Sequence, residues 1–249
     1  MKHYLDFPGI AVLAHRGGAL EANENTLESF YYANEIGCDY IETDVQISSD
    51  GIPYIFHDED LSRIVGKKKF FNELSSDEID NLVVFSSLKI PTLRSVLESL
   101  PDTLFQIDVK TDDVAIPALK VIEECRALDR VCIASFSSSR LEVVRNLYPN
   151  ICISMGPKEI LRTLLASFGL YRKDIPGDCL QVPIYYYGIK IVTQRFIQYV
   201  QKKGLKIIVW TINDTKTMKR LISMGVDGII TDKPMELKKL LAKKKNLSE

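Results

Sequence analysis

Residues 10–18 read IAVLAHRGG and residues 39–58 read DYIETDVQISSDGIPYIFHD. The first is a continuous apolar run that empties into two glycines after His15 and Arg16, the pattern of a buried strand ending in a loop. The second alternates, and successive side chains of a strand point to opposite faces. Tyr40, Glu42 and Asp44 therefore share one face, and Ile41, Thr43 and Val45 the other. Asp50-Gly51 is a hairpin signal. The chain leaves the strand, turns, and returns through residues 53–56 to set His57 and Asp58 near the level of Glu42.

Outward from this stretch the same unit recurs, an apolar run followed by a helical one. Strands are expected at 10–14, 39–45, 104–109, 131–136, 151–155, 179–182, 206–211 and 228–231. Helices are expected at 27–36, 93–100, 114–128, 138–147, 158–168, 193–203, 215–224 and 235–244. Eight such pairs predict a (β/α)8 TIM barrel closed by right-handed crossovers, one domain over residues 1–249. Asn25 and Glu28 are spaced as a capping box for the first helix, and Gly37, Gly204 and Gly225 stand where left-handed C-caps are wanted.

The segment 46–91 breaks the repeat. It is longer than an ordinary βα loop, and it holds Phe70, Phe71, Leu74, Ile79, Leu82, Val83, Val84 and Phe85. A small cap-like insertion after the second strand, packed on apolar residues of its own, is the expectation.

Bulk composition narrows the function. A hydrophobic content of 46% supports a sizeable core, and a net charge of −1 gives no electrostatic footprint for nucleic acid or an anionic membrane. A small-molecule substrate is expected instead, with no stable membrane insertion. The five cysteines are widely spaced in apolar segments and read as reduced core residues, neither a disulfide framework nor a zinc site. The N-terminus MKHYLDFPGI lacks the apolar segment of a secretory signal, so a cytoplasmic location is expected. Lys243-Lys-Lys245 reads as a solvated helix end. Oligomeric state leaves no mark in the sequence.

The residues with chemistry cluster in the opening stretch. Two carboxylates two residues apart on one strand face repel unless a positive charge lies between them. Glu42 and Asp44 thus suit a hard divalent cation, although an acidic strand face meeting water has the same spacing. His15 and His57 stand at strand ends, and a pair of histidines can act as general acid and base near neutral pH. Arg16 offers a fork that matches phosphate oxygens. In the third strand Asp108 and Lys110 share a face, as a further cation ligand and a phosphate-facing ammonium or as a plain ion pair. Trp210, the single tryptophan, can fill the barrel or wall the site. Tyr185, Tyr186 and Tyr187 can line the mouth or lie against outer helices. A cation, an arginine and two histidines suggest hydrolysis of a phosphate ester.

His15-Arg16, Glu24-Asn25-Thr26, Glu42-x-Asp44, Asp50-Gly51 and His57-Asp58, in that order, resemble the glycerophosphodiester phosphodiesterase family. Val209-Trp-Thr-Ile-Asn213 and Gly225-Val-Asp-Gly-Ile-Ile-Thr-Asp-Lys-Pro234 are similar to its closing motifs, so the resemblance spans nearly the whole chain. It implies a TIM barrel whose insertion after the second strand helps shape the site, and hydrolysis of a glycerophosphodiester to glycerol 3-phosphate and an alcohol. It further implies one divalent cation, Mg2+ or Ca2+, held by Glu42, Asp44 and Asp108, with His15 and His57 catalytic. Arg16, Lys110, Trp210, Asn213 and Phe136 would contact substrate. Two departures stand out. The family usually carries glutamate where this chain has Asp108, shorter by about 1.5 Å of reach, and proline where it has Asn23. A lysophospholipase D-like phosphodiesterase and a non-catalytic phosphate- and metal-binding barrel are the rival readings. The first would need an apolar channel or membrane-facing cap, for which Phe70 and Phe71 are available.

Overall fold

The computed structural model of the chain describes residues 3–246. The reading of the extreme N-terminus at Met1 and Lys2, and that of the side chains of Lys244 and Lys245, lie outside the described residues. The first half comprises β1 (Ala11–His15), α1 (Leu27–Glu35), β2 (Tyr40–Ile47), β3 (Pro53–Ile55), α2 (Ser62–Val65), α3 (Ser76–Asp80), α4 (Leu93–Ser99), β4 (Leu104–Val109) and α5 (Asp112–Glu124). The second comprises β5 (Val131–Ala134), α6 (Ser138–Leu147), β6 (Cys152–Ile153), α7 (Pro157–Ser167), β7 (Cys179–Pro183), β8 (Tyr185–Tyr186), β9 (Ile189–Lys190), α8 (Gln194–Lys202), β10 (Lys206–Trp210), α9 (Thr215–Met224), β11 (Gly228–Thr231) and α10 (Pro234–Asn246).

All eight expected barrel strands are present, paired in parallel in the order β6-β5-β4-β2-β1-β11-β10-β7. The two ends of that path meet through a parallel bridge of Ser154 to Cys179. Met155 N donates to Cys179 O and Asp178 N to Ile153 O, each at 2.9 Å. The ring is thus a nearly closed TIM barrel. Parallel strands put every C-terminal end at one rim, and that rim is where the loops carrying chemistry emerge.

Strand alternation sorts the core into layers. Ile41, Val45, Phe105 and Ile107 point outward into a cluster with Phe30, Leu93, Val96 and Leu119 of the surrounding helices. Leu13, Tyr40, Cys132, Cys152, Cys179 and Ile208 fill the inside of the ring. At the end away from the rim, the Tyr4 ring meets that of Tyr40 at a tilt, 4.8 Å between centroids, and the Tyr40 hydroxyl donates to the Tyr4 carbonyl. The thiols are free, but three that sequence spacing keeps apart, Cys132, Cys152 and Cys179, come within 4.8 Å of one another.

The cap after β2 has its own core. β3 returns antiparallel to β2 with Val45 opposite Ile55. Tyr54, Phe56, Leu61, Phe71, Leu74, Ile79, Val84 and Ile90 bury together, with Leu82 and Phe85 packed against them. Phe70 and Val83, expected in this core, are exposed instead. Phe70 lies next to a 3-10 turn that turns Phe71 inward, so only one of the adjacent pair can be covered.

The expected capping box is displaced by one residue. Thr26, in extended conformation, caps α1, with Thr26 Oγ1 accepting from Ser29 N and Ser29 Oγ from Thr26 N. Asn25 instead sits at φ +55, a left-handed conformation that asparagine tolerates better than most residues. Its amide turns away from the helix toward β2.

Candidate active site

The HRGG loop owes its shape to a close approach. A Cβ on Gly17, at φ +82, would meet Ser29 Oγ at 2.4 Å, so the loop can press on the start of α1 only with glycine there. Arg16 itself is left-handed at φ +53. That turns its backbone N–H to Glu42 Oε2 at 3.1 Å and its guanidinium toward Glu24 and Asp44. Arg16 Nη1 donates to Glu24 Oε1 at 2.9 Å, and Arg16 Nε stands 3.3 Å from Asp44 Oδ2.

His15, Arg16, Glu42, Asp44, His57, Asp108 and Lys110 all line one cavity of about 530 Å³ at the rim, with Phe136 and Trp210. Strand register explains the convergence. His15 is level with Glu42 across β1 and β2, and Asp44 with Asp108 across β2 and β4. The Lys110 ammonium lies between the last two, 2.6 Å from Asp44 Oδ1 and 2.7 Å from Asp108 Oδ2. His57 reaches the group because the returning chain is pinned to β2: Phe56 N donates to Asp44 O at 3.0 Å, and Gln46 Nε2 to Asp58 O at 3.1 Å.

Two carboxylates that the sequence reading passed over as site residues stand behind the histidines. His15 Nδ1 donates to Asp232 Oδ1 at 2.5 Å, and His57 Nδ1 to Asp58 Oδ1 at 2.6 Å. In each ring this leaves Nε2 as the nitrogen turned away from that carboxylate, and His15 Nε2 stands 3.8 Å from Glu42 Oε2. The signal for Asp232 was available: it follows β11 directly, at the same rim as His15. Glu24, Asn25 and Arg63 complete the surroundings. Arg63 forks onto Glu24, with Nη1 at 2.8 Å and Nη2 at 2.7 Å, and reaches Asp58 Oδ2 from Nε at 2.7 Å. Arg16, Glu24, Arg63 and Asp58 thus form a continuous ionic chain from one histidine's loop to the other. Asn25 Nδ2 donates to Asp44 Oδ2 at 3.0 Å while its Oδ1 accepts from Thr43.

Asn213 departs from expectation. It does not line the cavity; its Nδ2 donates to Asp232 Oδ2 at 2.5 Å and its Oδ1 accepts from Asp232 N at 2.9 Å. Both ends of its amide are spent on Asp232, which itself accepts from His15. Trp210 meets Phe136 edge to face at 5.7 Å, and Phe136 is exposed beyond the end of β5. Of the three tyrosines left open, only Tyr186 lines the cavity.

The site is electrostatically unbalanced in a telling way. Burial, then the charge of Asp44, pushes Glu42 up to about 7. Asp108 is likewise raised by burial, and its Oδ1 is buried without a hydrogen-bond partner. Burial acts on Asp44 in the same direction, but Lys110 and Arg16 outweigh it and hold Asp44 at about 2. Burial pulls His15 down, and Glu42 with Asp232 more than reverses it. Three buried carboxylates facing one cavity, one with an orphaned oxygen, are the kind of oxygen donors that could hold a hard cation. Their oxygens do not all lie within 4.8 Å of one another, the spacing that the core thiols alone meet among the described residues. A cation there would have to draw them together against the hold of Lys110.

The sequence model of the Glycerophosphoryl diester phosphodiesterase family matches residues 15–236. A Mycobacterium tuberculosis protein named probable glycerophosphodiester phosphodiesterase 2 is 32% identical, over 96% of this chain and 93% of its own length. A glycerophosphodiester phosphodiesterase of Caldanaerobacter subterraneus subsp. tengcongensis is also 32% identical, over 93% of this chain and 98% of its own. Among solved structures, an Oleispira antarctica phosphodiesterase in complex with its product sn-glycerol-3-phosphate superimposes with a TM-score of 0.82 at 23% identity, covering 97% of this chain and all of that one. Family model, relatives and barrel agree, and the chain belongs to the glycerophosphoryl diester phosphodiesterase family.

Proposed function

We propose that this protein hydrolyses glycerophosphodiesters to glycerol 3-phosphate and an alcohol, with His15 and His57 as the proton-transferring pair and one divalent cation, Mg2+ or Ca2+, held by Glu42, Asp44 and Asp108. The observation that carries this is the gathering of both imidazoles, the arginine, the lysine and all three acids around one cavity.

The division of labour follows from the geometry. Arg16 and Lys110 are fixed cations on the cavity wall and offset the negative charge that develops on the phosphoryl oxygens. Bound there, a divalent cation supplies Lewis-acid polarisation of those oxygens. Asp232 and Asp58 each hold a histidine Nδ1–H, so each ring presents Nε2 to the substrate. One Nε2 accepts a proton from the nucleophile, and the other donates one to the departing alkoxide. The free thiols suit a reducing compartment, in keeping with action in the cytoplasm.

A coupled glycerol 3-phosphate assay over a panel of head groups, before and after chelation and with each ion restored, tests this reading. Release that is indifferent to chelation sinks the cation assignment, and no release from any head group sinks the reaction.

A second substrate class is favoured by the apolar part of the same cavity's lining. Ile160, Leu161, Leu164, Ile189, Ile191 and Trp210 belong to it, more apolar surface than a water-soluble head group needs. A lysophospholipid places an acyl chain there and the same phosphodiester at the histidines. Turnover of lysophosphatidylcholine beside glycerophosphocholine separates the two classes.

A further inference from the structure

The cavity mouth carries a rim that phosphodiester chemistry leaves unexplained. Beyond β7 the chain forms the β8–β9 ribbon, with Tyr185 paired to Lys190 and Tyr186 to Ile189. Tyr185, Tyr187 and Ile189 are 56%, 90% and 61% exposed. Ile189 also lines the cavity, as do exposed Leu161 of α7 and Phe136, so these apolar side chains flank one opening.

The turn of the ribbon is built at a cost. Tyr187 lies at φ +45 and Gly188 at φ +78. A two-residue hairpin loop with both central residues left-handed ordinarily takes asparagine or aspartate first. A bulky side chain there is strained. Tyr187 gains little burial in return; its ring meets that of Tyr186 edge to face at 4.6 Å. Its contribution therefore lies outside the chain's own fold.

Charge points to the occupant. Lys158 and Arg162 in the first turns of α7, and Lys190 on the ribbon, are exposed. The one carboxylate among them, Glu159, is buried and accepts from Ser138 Oγ at 2.7 Å. The exposed charge on the first turns of α7 and on the ribbon is thus positive, interleaved with tyrosines and aliphatic side chains. Tyrosine settles where an apolar ring can enter lipid while its hydroxyl stays wet, and lysine and arginine are drawn to anionic head groups.

We propose that this rim docks reversibly on an anionic phospholipid bilayer, with Tyr185, Tyr187 and Ile189 entering the head-group layer and the cavity mouth opening onto the lipid. The proposal rests on the second substrate class above, since an amphiphilic substrate is what a bilayer-facing mouth can collect. No membrane-crossing helix is required; a small apolar patch with a few cations gives peripheral, reversible attachment.

Co-sedimentation of the full chain with phosphatidylcholine vesicles, with and without phosphatidylglycerol, tests it, using Tyr187→Asn and Tyr185→Ser. Neither residue lines the cavity, and asparagine is the residue the turn favours, so the ribbon should fold. The wild type should bind anionic vesicles roughly tenfold more tightly than neutral ones, and each variant should lose about tenfold, the order expected for one large side chain leaving an apolar layer. Glycerophosphocholine turnover should stay unchanged in both. Background binding by the wild type, or unaltered binding by Tyr187→Asn, overturns the proposal. So does a concentration-dependent dimer that Tyr187→Asn dissolves, which would assign the rim to a second copy. Vesicle binding that the variants weaken, without lysophospholipid turnover, upholds docking and removes the substrate reading; turnover of micellar lysophospholipid without vesicle binding does the reverse.

Discussion

His15 and Asp232 are 217 residues apart in the chain, and His15 Nδ1 lies 2.5 Å from Asp232 Oδ1. The seam between β1 and β11, with Ala14 level with Thr231, brings them together. Asn213 then clamps Asp232 from both ends of its amide. A carboxylate fixed in this way selects one tautomer and favours the protonated form of the His15 ring.

Replacing Asp232 with asparagine keeps the shape and removes the charge. Burial already pulls His15 down, and Glu42 and Asp232 oppose it, so the variant's imidazole should titrate at lower pH. Turnover should fall by about 10²- to 10⁴-fold, the range for a lost proton-transfer function. NMR titration of the ring and steady-state kinetics check both parts. A fall in kcat with no change in the titration would assign Asp232 a purely steric role.

Substituting alanine for His15 or His57 should each reduce kcat by about 10²- to 10⁴-fold while leaving the thermal midpoint close to wild type, since both rings are partly exposed to the cavity. Paired activity and melting measurements suffice. Near-normal rates in either variant reject its place in the reaction.

Glu42 makes stability depend on pH. Its carboxyl is raised from an ordinary 4.5 to about 7, so across that window the folded state retains a proton that the unfolded chain has released. Stability from this group is therefore greatest at the acid end and declines as pH rises, with a slope of up to about 1.4 kcal/mol per pH unit, and flattens above 7. In chelator, Glu42→Gln should flatten the decline. Mg2+ or Ca2+ should restore the wild type near neutral pH and do less for the variant. Thermal melts across pH read this directly; identical profiles with and without Glu42 contradict it.

Asn25 is a buried clamp. Asn25→Ala strips Asp44 and Thr43 of a partner, leaves polar groups unpaired at a buried position, and puts alanine at φ +55. A loss of about 1–3 kcal/mol is expected, read as a lower urea midpoint at unchanged slope, with Asp44 left to Lys110 and Arg16 alone. Unchanged stability would mean that water replaces the amide.

Local pattern was sufficient for the architecture. Eight alternations of strand and helix period lead to one closed ring, because right-handed crossovers allow few alternatives. Motif residues at strand ends then had to share a rim, since parallel strands all finish on one side. That is how His15, Arg16, Glu42, Asp44, His57, Asp108 and Lys110 were legible before any coordinates. Asp108 and Lys110, open between ion pair and functional cluster, turn out to be an ion pair inside the cluster, with Asp44 as its third member.

What periodicity could not carry was decided by the closed ring and by single backbone angles. Asp232 became His15's partner only because the seam joins the first strand to the last. Asn213 turned to Asp232 and not to the cavity. Asn25 changed from a helix cap to a clamp because φ +55 swings its amide to β2, and Tyr187 was carried to the ribbon's tip by a turn that the flanking residues do not announce. Contacts between distant residues leave no repeat along the chain, and a positive φ reverses a side chain's direction without altering its spacing. The sequence alone therefore determined the ring and the members of its rim; the tertiary structure decided who faces whom across it.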